Sequence, residues 1–238
     1  MLELPKRLAF QSLKKMGVHV QRAHKHPTLI DFITNRNIQA VYDIGANIGQ
    51  FGLALRRRGY SGHIISYEPV RSAFDVLQTI TVHDGKWTAT HCAIGDHEGE
   101  VQINVSRNSQ FSSLLNLSNR ASSIDPESIV ESQENVRVYR LDGLNICSGC
   151  LIKIDTQGFE RNVLRGAENS IGQAAGVLLE LPIVSVYAGS WTFSEAINYM
   201  DDLGFVLCQI DPVNHHHSDP MAAIEFDCLF RPKREEID

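Results

Sequence analysis

The chain has 238 residues, 43% of them hydrophobic and 21% charged, close to a soluble globular average, which excludes wholesale disorder and a fibrous repeat. No apolar run approaches the ~18 residues of a membrane-spanning helix, and a net charge of −6 argues against a general nucleic-acid surface. Five cysteines, among them one Cys147-x-x-Cys150 pair with no second pair at ligand spacing, read neither as a disulfide framework nor as a zinc site. With no apolar signal segment, the expected compartment is a reducing cytoplasm.

Residues 1–26 carry six basic side chains against Glu3, a net of +5, so the remainder holds −11. Leu4, Leu8 and Phe10 or Leu13 fall near helical spacing. This extension reads as a basic amphipathic helix packed on one side, with peripheral contact to the inner membrane surface as the sharper alternative. Residues 27–238 read as one domain. Leu29 to Ile33 suggests a helix, and Gln39 to Ile44 a buried strand that runs into Gly-Ala-Asn-Ile-Gly. Gln50 to Arg58 is helical and stops at Gly59. His63 to Tyr67 is a second strand closed by Pro69, Ser72 to Ile80 a helix and Trp87 to Ala93 a third strand.

Val101 to Val105 and Val136 to Leu141 alternate as half-exposed strands, a β-hairpin insertion. Cys150 to Ile154 is a fourth buried strand, Phe159 to Asn169 a helix, Ala175 to Leu181 a strand and Phe193 to Leu203 a helix. Phe205 to Ile210 and Asp227 to Arg231 complete the series. The rhythm predicts an α/β fold: a doubly wound, mostly parallel sheet of seven strands with helices on both faces. Residues 106–134, with nine serines, interrupt it and read as a lid or a mobile insertion.

The chemistry concentrates at strand ends. Asp43-Ile44-Gly45-Ala46-Asn47-Ile48-Gly49 carries a strand into a glycine turn and a helix, and its glycines allow close backbone approach to a ligand. Glu68 ends the next strand, where an acid can accept both hydroxyls of a ribose. Downstream, Leu151, Lys153 and Asp155 share one strand face. A lysine there needs a charge partner, for which Asp155, Glu180 and Glu160 are the candidates. The pair is either a structural ion pair or part of a reactive cleft. His215-His216-His217 reads as an exposed loop; Trp191, Tyr187 and Phe111 read as packing or as sugar-stacking rings, packing being favoured.

The turn after the first strand lacks the Gly-x-Gly-x-x-Gly of pyrophosphate binders. It resembles motif I of class I S-adenosylmethionine-dependent methyltransferases. Lys153-Ile154-Asp155-Thr156-Gln157-Gly158-Phe159-Glu160 with Val163-Leu164-Arg165-Gly166-Ala167, Tyr67-Glu68-Pro69, Ala93-Ile94-Gly95-Asp96 and Asp227-Cys228-Leu229-Phe230 resemble the FkbM-type family of these enzymes, over residues 39–231. The resemblance implies a Rossmann-like fold and S-adenosylmethionine as cofactor. It implies that Asp43, Gly45, Ala46, Asn47, Gly49, Glu68, Pro69 and Ala93 hold that cofactor, and that Lys153, Asp155 and Glu180 line the transfer site; a divalent metal could use Asp155 with Glu180 but is not expected. It further implies O-methylation of a small-molecule or glycan hydroxyl, a deoxysugar of a glycolipid or lipo-oligosaccharide foremost and a polyketide as the alternative. A nicotinamide-dependent oxidoreductase would lack the pyrophosphate glycines here, and a nucleic-acid methyltransferase the Asn/Asp-Pro-Pro-aromatic motif.

Overall fold

The computed structural model describes residues 27–107, 109–117, 129–183, 187–216 and 219–233. The basic extension, residues 108 and 118–128 of the serine-rich insertion, and His217 lie outside them. Thr28 and Asp31 form a capping box that starts α1 (Leu29–Asn35). The chain continues through β1 (Ala40–Ile44), α2 (Gln50–Arg57), β2 (His63–Glu68), α3 (Arg71–Thr81) and β3 (Trp87–His91). It then forms β4 (Ala93–Ile94), β5 (Gly99–Ser106), β6 (Val130–Tyr139), β7 (Cys150–Ile154) and α4 (Glu160–Arg165). The last elements are β8 (Ala174–Pro182), α5 (Phe193–Asp202), β9 (Phe205–His216) and β10 (Asp219–Pro232).

Seven strands form one sheet in the order β3-β2-β1-β7-β8-β10-β9, parallel except for β10, which runs antiparallel to both neighbours. Every residue of β1 and β7 is buried, as expected for central strands covered on both faces. On one face Ile44, Ile152, Ile154 and Leu179 pack with Val163 and Leu164 of α4 and Ala196 and Met200 of α5. On the other, Val41, Leu151, Leu178 and Leu229 meet Ile33 of α1, Leu55 of α2 and Leu77 of α3. Each such fully buried aliphatic side chain contributes about 1.5–3 kcal/mol over exposure. This is the doubly wound architecture expected of the sequence.

Several boundaries differ from expectation for local reasons. The third strand does not continue to Ala93: Glu68↔His91 is the last pair of the β2–β3 ladder, because Pro69 has no N–H to extend it. The chain turns at Cys92, and Ala93–Ile94 joins a second sheet, β4-β6-β5. The hairpin of β5 and β6 is longer than the alternation suggested, so Ser106 and residues 130–134 belong to strands rather than to the insertion. The helix from Phe159 ends at Arg165, and Gly166 packs against Gly95, where a Cβ would stand 1.8 Å from the carbonyl oxygen. His215 and His216 belong to the end of β9, not to a loop; this edge strand tolerates Pro212 because one side of its backbone has no ladder to complete. Trp191 and Tyr187 are buried, and Trp191 packs edge-on against Tyr199 at 5.8 Å between centroids.

Candidate functional site

The carboxyl ends of β1, β2, β7, β8 and β9, with residues 224–227 of the antiparallel β10, open on one cavity of about 640 Å³, within the usual size range for small-molecule sites. Its first wall is the turn after β1. The Gly45 and Ala46 amides both donate to the Tyr67 carbonyl, at 3.0 and 3.1 Å, which ties this turn to the end of β2. Gly45 has φ +78°, and a Cβ there would stand 1.8 Å from the Asp155 carbonyl oxygen. Its glycine is therefore required by the close approach of the β1 and β7 ends. Gly49, at φ +89°, is crowded instead by Leu77 and does not line the cavity. Gly49 thus serves contact between chain segments, whereas Gly45 both admits the β7 end and presents its backbone to the cavity.

Glu68 is 4% exposed and lines the cavity. Its two oxygens accept from the Asn47 and Val70 amides, each at 2.7 Å. Burial pushes its carboxyl up to about 7, although those two donors pull the other way. Each oxygen keeps a second acceptor position. Gly45, Ala46, Asn47, Pro69 and Ala93 lie along the same cavity, with Tyr67, Val70 and Ile94 supplying apolar wall.

The second wall is charged. Asp43 and Lys153 are opposite each other in the parallel β1–β7 ladder. Lys153 Nζ stands 3.0 Å from Asp155 Oδ2 and 3.4 Å from Asp43 Oδ1, the longer contact lacking hydrogen-bond geometry. Burial alone would lower the lysine, but Asp155 and Asp43 outweigh it and hold the ammonium charged. Asp43 is fully buried and is absent from the cavity lining, so it touches the site only through Lys153. Trp87 Nε1 donates to Ser66 Oγ at 3.0 Å, and Ser66 Oγ to Asp43 Oδ2 at 3.5 Å. Glu160, a candidate partner of the lysine, is engaged elsewhere: one oxygen accepts from the Thr156 and Gly158 amides at 3.1 and 2.9 Å.

Asp155, Glu180 and Asp227 all reach the cavity. Burial raises Asp155, yet Lys153 and its hydrogen bonds overcome this and keep it below the ordinary aspartate value. Burial and the neighbouring Asp155 charge drive Glu180 well above the ordinary glutamate value. Asp227, opposite Glu180 in the antiparallel ladder, is raised by burial to about 6. The two neighbouring carboxyl groups are thus pushed in opposite directions, Asp155 towards its charged form and Glu180 towards its neutral one, an arrangement suited to taking a proton. Sequence reasoning missed Asp227, Glu225 and Asn214 as cavity residues; the alternation Glu225-Phe226-Asp227 was the available signal, once β10 was paired with β8. Among the described residues no group of three or more His, Cys, Asp or Glu is arranged to hold a metal ion.

From the insertion, Ser109, Phe111, Ser112, Ser113 and Leu114 close over the cavity. Ser109 Oγ donates to Asn47 Oδ1 at 3.2 Å and Ser113 Oγ to the Gln157 carbonyl at 2.7 Å, so this strap bridges the β1 and β7 turns.

The model of the methyltransferase FkbM domain matches residues 43–207, more than two thirds of the chain. The chain belongs to the FkbM methyltransferase family. It is 24% identical over 183 residues to Methyltransferase 1 of Beauveria bassiana (strain ARSEF 2860), spanning 70% of this chain and 72% of that one. The crystal structure of methyltransferase FkbM from Methylobacillus flagellatus KT superposes with a TM-score of 0.53 at 17% identity, over 82% of this chain. The match spans 44% of that longer chain, and it shows likeness of fold.

S-adenosylmethionine is the cofactor of this FkbM methyltransferase. The residues present fit it. A buried carboxylate with free acceptor positions suits vicinal ribose hydroxyls, the apolar strip at Val70 and Ile94 suits an adenine face, and the carboxylates beyond suit a cationic sulfonium. Glu68→Ala is expected to weaken binding of S-adenosylhomocysteine by ~1.5–3 kcal/mol, the range for hydrogen bonds to a charged group, read by titration calorimetry. The pH dependence follows in sign. Hydroxyl donors favour the ionised carboxyl, and in the free protein that carboxyl takes up a proton near pH 7. Affinity should therefore be full above pH 7 and fall by up to about tenfold per unit below it, a dependence absent from Glu68→Gln.

Proposed function

We propose that this FkbM methyltransferase transfers a methyl group to a hydroxyl of a polyhydroxylated, glycan-type acceptor, a sugar of a glycolipid, lipo-oligosaccharide or polysaccharide. The observation that carries the reading is the set of polar side chains that line one cavity: Asp155 and Glu180, with Asp227 and Glu225 of β10 and Asn214 of β9 beside them. Sugar hydroxyls are hydrogen-bond donors, and carboxylate and amide oxygens are their natural acceptors. A polyketide acceptor would present more apolar surface to these groups and leave them unpaired at a cost.

When bound, S-adenosylmethionine supplies an electrophilic methyl carbon on a sulfonium. The chain's residues do the rest. Glu68 and the Asn47 turn hold one end of the cavity, fixing the reactants' separation, which supplies much of the rate. Asp155 accepts the acceptor's hydroxyl proton, which frees that oxygen to bond to the methyl carbon the cofactor would supply, with a neutral thioether as the leaving group. Lys153 keeps Asp155 ionised until that moment. The strap from Ser109 to Ser113 excludes water. Amide exchange at Ser113 and Ala188, which donate to the Asn104 and Asn116 carbonyls, is expected to slow when S-adenosylhomocysteine is bound; exchange that is unchanged by ligand would rule out a strap that closes. The experiment that tests the acceptor is incubation with methyl-labelled S-adenosylmethionine and a glycolipid extract from cells lacking the gene. Label in the sugar fraction supports the reading, and label confined to other fractions opposes it.

A further inference from the structure

Between Asp155 and Glu180 stands a side chain that the reading above leaves without a role. Gln157 Nε2 lies 2.9 Å from Asp155 Oδ1 and 2.9 Å from Glu180 Oε2, and Tyr187 OH donates to Gln157 Oε1 at 2.8 Å. An amide nitrogen has two hydrogens, so each carboxyl group can receive one. The opposite orientation would set the amide oxygen against both carboxyl oxygens and leave the nitrogen facing a hydroxyl. The network therefore fixes which way the amide points. Its backbone sits at φ +55°, a region few glutamines adopt, and the Ser113 hydroxyl holds the Gln157 carbonyl there. Tyr187 is 5% exposed, so its hydroxyl is anchored by packing.

We propose that Gln157 is a positioning residue, its amide locked by Tyr187, which sets the separation and orientation of Asp155 and Glu180 and so decides which of the two takes the acceptor's proton. The inference rests on the reading of Asp155 as the base. Two adjacent buried carboxyl groups share their protons as a pair, and a donor placed between them favours the ionised form of the one that also faces a cation. Lys153 and Asp43 face the pair from β7 and β1, and Glu225 and Asp227 from β10. Of these only Lys153 is a cation, and it contacts Asp155. Gln157 adds a further donor on the same carboxylate, beside the hydrogen bond between Asp155 and Glu180 themselves, while among the described residues no lysine stands at ion-pair distance from Glu180.

The test uses the full chain labelled with ¹³C at its Asp and Glu carboxyls and titrated by NMR, with Asp155→Asn to assign the pair. It needs no acceptor, so its outcome is independent of whether the substrate is a sugar. In Gln157→Gly, which keeps the positive φ and removes the amide, the lower midpoint of the Asp155–Glu180 pair is expected to rise by about one unit. Tyr187→Phe should move it in the same direction by less, because the amide remains but is no longer locked. A folded Gln157→Gly with an unmoved midpoint would overturn the proposal. Should that variant not fold, an unmoved midpoint in Tyr187→Phe would overturn it equally. Activity lost in Asp155→Asn with unmoved midpoints would sink this inference alone, whereas shifted midpoints with full activity in Asp155→Asn would sink the reading of Asp155 as base.

Discussion

Asp155→Asn is expected to lower methyl transfer by roughly 100- to 10,000-fold, the range a positioned general base contributes. Asparagine keeps the shape of the side chain and can still meet Lys153 Nζ, now with an amide oxygen 3.0 Å away in place of a carboxylate. Lys153 also retains Asp43, so folding and S-adenosylhomocysteine affinity should change little. The loss should appear in kcat and not in the cofactor's binding constant. Lys153 holds Asp155 below the ordinary aspartate value, so the native rate should show no inflection from this group between pH 5 and 8. Asp155 contributes stability above its unfolded value of 3.8 that is lost as the pH falls through the lower folded one. The native protein's margin over Asp155→Asn, small because the amide still meets Lys153, should therefore vanish in acid. Transfer measured from labelled S-adenosylmethionine decides the matter, and an unchanged rate in the variant would remove Asp155 from the chemistry.

Lys153→Met is expected to be the most destabilising single change in the site, by ~3–5 kcal/mol, because it strips the cation from two carboxyl groups at once. Asp43 has no exposed surface, and its Oδ1 accepts no hydrogen bond from another group, so the lysine is its charge partner. The double change Lys153→Met with Asp43→Asn should recover part of the loss, since the fully buried charge goes with its partner. Urea denaturation midpoints of the three proteins give the comparison. Equal stability of Lys153→Met and the native protein would mean that Asp43 is already neutral, in agreement with the upward push that burial exerts on it.

Much of the sheet was legible because its signal is local. The buried runs of β1 and β7 are apolar stretches around one charged position each, and Gly59 and Pro69 mark the ends of α2 and β2 directly. The second sheet was harder: Ala93–Ile94 continues the alternation of β3, and only the pairing of Ala93 with Val138, 45 positions on, shows that it has changed sheets. The nearer partner of Lys153, Asp155, was found, but its second partner was missed for the same reason. Period-two reasoning finds Asp155 on the same strand, but Asp43 becomes its neighbour through the β1–β7 register, which depends on tertiary structure. The strand-end acids were read as one class of ligand, yet burial separates them: Glu68 opens on the cavity while Asp43 is sealed behind Lys153. The glycines were read as room for a ligand; Gly45 does line the cavity, but Gly49 lies outside it, and the space a Cβ would need is taken by the Asp155 carbonyl at Gly45 and by Leu77 at Gly49.

The account stands or falls on oxygen as the atom that receives the methyl group beside Asp155. The direct measurement is NMR of the product formed from ¹³C-methyl S-adenosylmethionine and the sugar-containing acceptor fraction. A methoxyl carbon correlated with a sugar ring proton, formed by the native protein and reduced at least 100-fold by Asp155→Asn, is the expected result. A methyl carbon bonded to nitrogen or carbon, or a methoxyl that forms equally well in the variant, would contradict it.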